Sequence, residues 1–249
     1  MQPELSVIIP IYNESGSFES FFMEWRNVFS KLAPNFEIIA INDGSTDGTG
    51  RILDKIRKDH RYVRVTHQLR TGHSEAVRRG LELARGKYVL VLDANGRFET
   101  SDFEQFWKEK GTARLVIGNR THRLDSIARR MIHRAIIKWS QLLFKTSLPD
   151  GNISFRLMDR ETAMKFSPLF PKGCESFNLA IALIIKQEIP ALVKEIRIPY
   201  RKRKHGFSST SFYKFLGLNL TYAKELLSIR LKKRQFLEAN PSLLQPALT

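Results

Sequence analysis

The sequence predicts an α/β fold: a mostly parallel sheet flanked by helices, with amphipathic helices toward the C-terminal end. Three observations carry this. Apolar runs without alternation recur at 5–11, 36–42, 62–66 and 88–93, which is how strands buried on both faces read. Segments with helical apolar spacing separate them, and strands alternating with helices build parallel sheets. Beyond residue 119 the pattern changes to long helical stretches rich in arginine.

In chain order, 5–11 is a strand ended by Pro10 and the turn residues of 13–16. The segment 17–32 places Phe18, Phe21, Phe22, Trp25, Val28, Phe29 and Leu32 on one helical face. A second strand, 36–42, runs into the turn cluster 43–49, which also caps a helix at about 48–59. A third strand at 62–66 precedes a helix at 72–85, with Gly86 as its C-cap. The strand 88–93 follows, then a helix at about 101–110 and a fifth strand at 113–118. In the second half, 124–145 is one long helix and 148–156 a loop or short strand. Residues 162–166 and 176–187 are helical, 191–200 is a strand, and 212–234 is a final amphipathic helix. These bounds give one main domain over 1–210, in two halves that meet near 119/120. Helix 211–234 then lies at an interface, and 235–249 is a tail.

The chain has 249 residues, 42% of them hydrophobic, enough for a real core. Lysine and arginine number 41 against 25 acids, a net charge of +16, so the expected partner is a polyanion: nucleic acid, anionic lipid or a phosphorylated substrate. Nucleic acid is set aside because no groove-reading or base-stacking module is visible. The single Cys174 excludes an internal disulfide framework and suits a reducing compartment. The N-terminus lacks the basic region of a secretory signal, and no apolar run is long enough to span a bilayer. The expectation is a cytoplasmic protein, peripheral on the cytoplasmic face of a membrane.

The chemistry gathers where strands end. Pro10-Ile-Tyr-Asn-Glu14, Asn42-Asp-Gly-Ser-Thr-Asp-Gly-Thr49 and Asp93-Ala-Asn95 each follow an apolar run. Carboxyl ends of parallel strands are where open α/β sheets bind ligands. In this order the motifs resemble family 2 glycosyltransferases of the GT-A fold, a Rossmann-like sheet. Gly72-x3-Ala76-x3-Gly80, Gly118-Asn-Arg120, Asp150-x4-Phe155-Arg156 and Ile198-Pro199-x3-Arg203-x2-Gly206-x-Ser208 are similar to the dolichyl-phosphate mannose synthase branch and its bacterial polyprenyl-phosphate relatives. The resemblance covers roughly 4–234 and implies that 1–210 is the catalytic domain, with a nucleotide-sugar half at about 1–119 and an acceptor half at about 120–210.

It implies a nucleotide-sugar donor, contacted by Pro10, Tyr12, Glu14, Asp43, Gly72, His73, Asp93 and Arg97. His73 stands where relatives often have lysine, and Asp47 reads as a cap. Catalysis would fall to Asp93, Arg120, Asp150, Arg156 and Arg203, the three arginines serving phosphate recognition. The family's Asp-x-Asp binds Mg²⁺ or Mn²⁺; here the second acid is Asn95, and Arg97 follows. Two arrangements are open: a divalent cation on Asp93 with Asn95 and help from Glu99, or Arg97 taking over part of the metal's charge, with weak or no metal dependence.

The implied reaction moves a hexose, with inversion, onto a polyprenyl (dolichyl-like) phosphate. A phosphate acceptor is already ionised and needs no base. Basic residues interleaved with apolar ones over 120–144 and 212–234 read as a surface for anionic lipid. A membrane-protein partner would serve the same end. Two other readings stay open: a saccharide hydroxyl of a cell-surface polymer as acceptor, or a catalytically impaired lipid-binding relative.

Overall fold

In this computed structural model the described residues are 2–121, 127–199, 201 and 212–239. The first apolar run forms β1 (Leu5–Ile11), buried at every residue. Burial regardless of alternation requires helices on both faces of the sheet. The elements that follow are α1 (Phe18–Leu32), β2 (Phe36–Asp43), α2 (Thr49–Asp59), β3 (Val63–Gln68), α3 (His73–Leu83), β4 (Tyr88–Val91), α4 (Thr100–Lys108) and β5 (Leu115–Thr121). Then come α5 (Ile127–Phe144), β6 (Arg156–Asp159), α6 (Arg160–Phe166), α7 (Phe177–Glu188), β7 (Val193–Pro199) and α8 (Phe212–Ala239).

One seven-stranded sheet holds them in the order β3-β2-β1-β4-β6-β5-β7. β1 pairs in parallel with β2 and β4, β2 with β3, and β5 with β7. β6 alone runs against its neighbours, antiparallel to both β4 and β5. The sheet is therefore mostly parallel, as expected. The short antiparallel β6 is the element the sequence hides: its four residues follow a loop and run straight into α6. Its place between β4 and β5 has a consequence for the site, because the loop before it is delivered beside the end of β4.

Two local expectations are corrected. Pro10 does not end the first strand; it lies inside β1, paired with Ile41. The carbonyl of Ile8 faces β4, accepting the Leu92 N–H at 3.0 Å. Two residues on, Pro10 faces the same way, beyond the end of β4 at Val91, so its missing N–H breaks no ladder bond. Gly86 is not the C-cap of α3, which is Ala84. It is glycine because it lies on β1: a Cβ there would stand 2.6 Å from the Ser6 nitrogen and 2.8 Å from the Leu5 carbonyl carbon.

The aromatic face of α1 is the centre of one half of the core. Trp25 packs 6.1 Å from the Phe155 ring, and Phe29 meets Phe103 of α4 edge-on at 5.1 Å. α7 is buried along Phe177–Ile185 without a polar face, as befits a helix enclosed all round. α8 packs along α5, where the Trp139 indole N–H donates to the Ala223 carbonyl at 3.1 Å. Tyr222, Leu226 and Ile229 of α8 are buried, each contributing about 1.5–3 kcal/mol. Lys233 is buried too, paired with Glu188 and donating to Gln187 at 2.5 Å. The last helix is thus joined to the core along one face. It runs to Ala239, so the expected tail at 235 begins later, and 240–249 lie outside the described residues.

Candidate active site

The carboxyl ends of β1, β2, β3 and β4 open on one edge, and their loops are sewn together there. Asn13, in left-handed backbone at φ 53°, donates to Thr46 Oγ1 at 3.3 Å and accepts the Thr46 N–H at 2.8 Å. The Glu14 N–H donates to Thr49 Oγ1 at 2.9 Å, and the Ser15 N–H to Asp47 at 3.1 Å. Asp47 also accepts the Thr49 N–H at 2.9 Å just before α2 begins. Burial pushes the Asp47 carboxyl up, but the Thr49 and Ser15 donors together outweigh it and hold it at about 2. It therefore acts at the helix start and as a staple to the first loop. Glu14 is buried, with Ser17 Oγ donating to it at 3.1 Å.

Asp43 is the second staple. Its carboxylate accepts from Gln68 at 2.9 Å, from the Thr71 N–H at 2.8 Å, from the Thr71 hydroxyl at 3.0 Å and from the Gly72 N–H at 2.9 Å. Burial opposes its charge, yet these donors bring its pKa below the ordinary carboxylate value. Gly72 takes φ 101° to start α3, and a Cβ there would meet the Glu175 carboxylate at 3.2 Å. Arg70 lays its guanidinium over the Tyr12 ring, 3.6 Å from the centroid. Sequence reading passed over Arg70; the signal was a lone base beside the turn glycine in Arg70-Thr71-Gly72.

His73 and Asp93 meet across this edge: Nε2 lies 2.8 Å from Oδ1. Behind the ring, Asn178 Nδ2 lies 3.2 Å from Nδ1. The other Asp93 oxygen accepts from Asn95 Nδ2 at 3.1 Å, while the Asn95 carbonyl oxygen accepts the Arg97 N–H at 3.2 Å. Burial raises Asp93, but the charge and hydrogen bond of His73, the Ser154 hydroxyl and the Arg97 charge overcome it and leave it at about 2. Burial likewise works against protonated His73, and Asp93 outweighs it, so His73 is raised.

The segment 148–155, delivered by β6, completes the edge. Ser154 reaches Asp93, Asn152 donates to the Tyr222 hydroxyl at 3.2 Å, and Asp150 takes a two-point bond from Arg120. That bond measures 2.6 Å from Nε and 2.7 Å from Nη2, with the Arg120 N–H adding a third contact at 3.2 Å.

Two expectations change here, and one falls outside the described residues. Arg156 does not face a phosphate. It is fully buried, and its guanidinium donates to the carbonyls of Asn178, Ile153 and Gly151, so it holds the shape of the loop from inside. Glu99 is not at hand for a metal: Arg201 pairs with it at 2.9 Å and with Asp102 at 2.5 Å, clamping the start of α4. Arg203 lies outside the described residues, as do Arg123, Lys204 and Ser208. As for a cation, Asp93 and Asn95 are the candidate ligands, and each Asp93 oxygen already accepts from a nitrogen donor. Among the described residues no three acids, histidines or cysteines cluster as a metal set. The residues as arranged do not fit a divalent cation without displacing His73 or Asn95.

A mostly parallel sheet with acids and arginines gathered at the carboxyl ends of its strands defines an α/β protein whose candidate ligand site is that edge. The chain belongs to Glycosyl transferase family 2, whose sequence model matches residues 6–169. It is 29% identical to a dolichyl-phosphate beta-glucosyltransferase of Dictyostelium discoideum, over 92% of this chain and 74% of the relative. It is 33% identical to one of Drosophila melanogaster, over 86% and 72% respectively. Among solved structures it is similar in fold to glucosyl-3-phosphoglycerate synthase from Mycobacterium tuberculosis, in complex with Mn²⁺, UDP-glucose and phosphoglyceric acid. The TM-score is 0.67 at 16% identity, covering 92% of this chain and 80% of that one. The chain is a family 2 glycosyltransferase of GT-A architecture.

Proposed function

We propose that this chain transfers a hexose from a nucleotide-sugar donor, with inversion, to a polyprenyl (dolichyl-like) phosphate at a membrane surface. The observation that carries it is the Arg120–Asp150 pair. Asp150 is the carboxylate expected to act on the acceptor side, and both its oxygens are held by Arg120. A carboxylate committed to a guanidinium is a poor base, and an ionised phosphate acceptor needs none. The dolichyl phosphate in the names of the two relatives is an acceptor of that kind.

In this reading an acceptor phosphate oxygen attacks the anomeric carbon from the face opposite the diphosphate. The bond from that carbon to the diphosphate oxygen breaks, and its electron pair leaves with the nucleotide. Tyr12 and the Asp43-braced loops hold the nucleoside. His73 and Arg97, both close to Asp93, meet the charge gathering on the leaving group.

The lipid reaches the site along α8. Leu216, Leu220, Leu227 and Leu231 are exposed and fall within one narrow sector of the helix. Lys224, Lys232 and Arg234 are exposed beside them. On α5, Met131 and Leu142 are exposed with Arg130, Arg134 and Lys138. Apolar and basic side chains mixed in this way suit an anionic bilayer surface. No described helix is long and apolar enough to cross a membrane. Tyr222, on the buried side of the same helix, touches Asn152 of the acceptor loop, which links this surface to the site.

The test is transfer from radiolabelled UDP-, GDP- and dTDP-hexoses to a polyprenyl phosphate and, in parallel, to an oligosaccharide. Transfer to the lipid phosphate supports the proposal; transfer to the sugar hydroxyl alone would overturn it.

A further inference from the structure

On the opposite side of the sheet, at the amino ends of the parallel strands, lies a cavity of about 600 Å³ that the transfer reaction does not use. Its size is that of a small-molecule pocket. Four arginines line it: Arg61 before β3, Arg64 within β3, Arg85 before β4 and Arg160 after β6. Two are anchored by main-chain carbonyls. Arg64 donates to Leu83 at 2.7 Å and Arg160, through Nε, to Ala84 at 2.7 Å. Arg61 and Arg85 are exposed, and their guanidinium groups have no carboxylate partner among the described residues.

The one acid in the wall, Glu37, is already spoken for. It accepts from the Ser6 hydroxyl at 2.7 Å and from the Arg85 N–H at 2.8 Å, with Arg64 at 3.6 Å. The cavity therefore carries a strong excess of positive charge. Tyr62 adds a second, independent sign. Its ring packs 4.9 Å from Phe36, and its hydroxyl is buried with no hydrogen-bond partner. Buried hydroxyls are normally satisfied, so an orphan one at a pocket wall points to a missing acceptor.

We propose that this pocket binds a phosphate-bearing anion, at a site separate from the donor edge by the length of the strands. Guanidinium groups fixed at different strand ends converge on one volume, and their planar donors match phosphate oxygens. The anchored Arg64 and Arg160 shape the site, Arg61 and Arg85 close over the charge, and the Tyr62 hydroxyl donates to an oxygen of the ligand. The anion is either free in solution or the headgroup of a lipid, and the chemistry of recognition is the same for both.

Two variants test this on the full chain. Arg61→Ser/Arg85→Ser removes two exposed charges outside the donor edge, so its donor KM and kcat stay at the wild-type level. Tyr62→Phe deletes only the orphan hydroxyl, so its melting temperature does not fall. Calorimetric titration with inorganic pyrophosphate probes the free anion, and sedimentation with phosphatidylglycerol-containing vesicles probes the headgroup. If the ligand is a free anion, the double variant weakens one class of pyrophosphate site on the order of a hundredfold and Tyr62→Phe weakens it about five- to tenfold. If it is a headgroup, vesicle binding weakens in both variants, down to what the α5 and α8 faces retain, and pyrophosphate binding does not. Unchanged pyrophosphate affinity, stoichiometry and vesicle binding in both variants would overturn the proposal. Because the donor kinetics are read separately, that failure is distinct from failure of the transferase reading.

Discussion

Asp150→Asn is the most informative single change, because two roles for Asp150 predict opposite kinetic signatures. The substitution keeps the size of the side chain and removes its charge. In the structure the Asp150 side chain is 3% exposed and Arg120 14%, joined at 2.6 and 2.7 Å. Removing one partner of a buried ion pair costs about 3–5 kcal/mol, chiefly because the other charge is left uncompensated. Arg120 keeps some access to solvent, so a value at or below the lower end, about 2–3 kcal/mol, is expected. For a chain of this size that lowers the melting temperature by roughly 4–12 °C. Arg120→Gln should give a similar loss, and the double variant should lose much less than the sum, a coupling of about 2 kcal/mol. In assays at saturating substrates, kcat should fall by less than about tenfold, with the larger change in acceptor KM and no shift in the pH profile. A general base would behave otherwise. If kcat fell more than about a hundredfold while melting temperature and both KM values stayed put, Asp150 would be the base and the phosphate-acceptor argument would fail.

Transfer should survive EDTA with at most a few-fold loss, and Arg97→Ala should raise the donor KM on the order of tenfold; abolition by EDTA with full recovery in Mn²⁺ would refute side-chain neutralisation of the diphosphate. Gly86→Ala should lower stability by about 3 kcal/mol, since the new Cβ would meet the main chain of β1 at 2.6 Å and neither strand nor turn can give way; unchanged thermal melting would contradict the packing described. Acid should destabilise the donor loops. The folded pKa values of Asp93 and Asp47 are both depressed to about 2 from 3.8, so their contribution is present above that ordinary value and lost as pH falls through about 2. Circular dichroism melts between pH 5 and 2 should show this slope, and Asp47→Asn should flatten it.

The parallel half of the fold was legible because its signals are local. A buried strand shows as an apolar run, and a surface helix shows as a stripe such as Phe18, Phe22, Trp25 and Phe29. β6 was not legible for the opposite reason. Its four residues, Arg156–Asp159, begin with an arginine, and only pairing with β4 and β5 makes them a strand. The errors at Pro10 and Gly86 share that cause. Read alone, a proline ends a strand and a glycine caps a helix. In the sheet, the first lies past Val91, the last ladder residue of β4, and the second lies against β1. Local rules were overruled by what the neighbouring strand supplies.

The site divides in the same way. The loops that carry Tyr12, Asp43, His73 and Asp93 were legible from strand ends, since topology alone brings them to one edge. What each side chain does there depends on partners far away in sequence. Arg156 looked like one more phosphate arginine until its donors were found on the carbonyls of Asn178, Ile153 and Gly151. Asp93 shows the point most sharply. As sequence, Asp93-Ala-Asn95 is a metal motif missing one acid. As structure, the remaining acid lies 2.8 Å from an imidazole nitrogen and 3.1 Å from an amide donor, with Arg97 near enough to lower its pKa. The replacement of the second acid and the arrival of nitrogen donors and a guanidinium are thus not separate oddities. Losing a carboxylate weakens a site for a divalent ion, and the positive groups around Asp93 occupy its oxygens while adding charge where the diphosphate would lie. That is why metal dependence and the Arg97 variant must be measured together: each is the other's control.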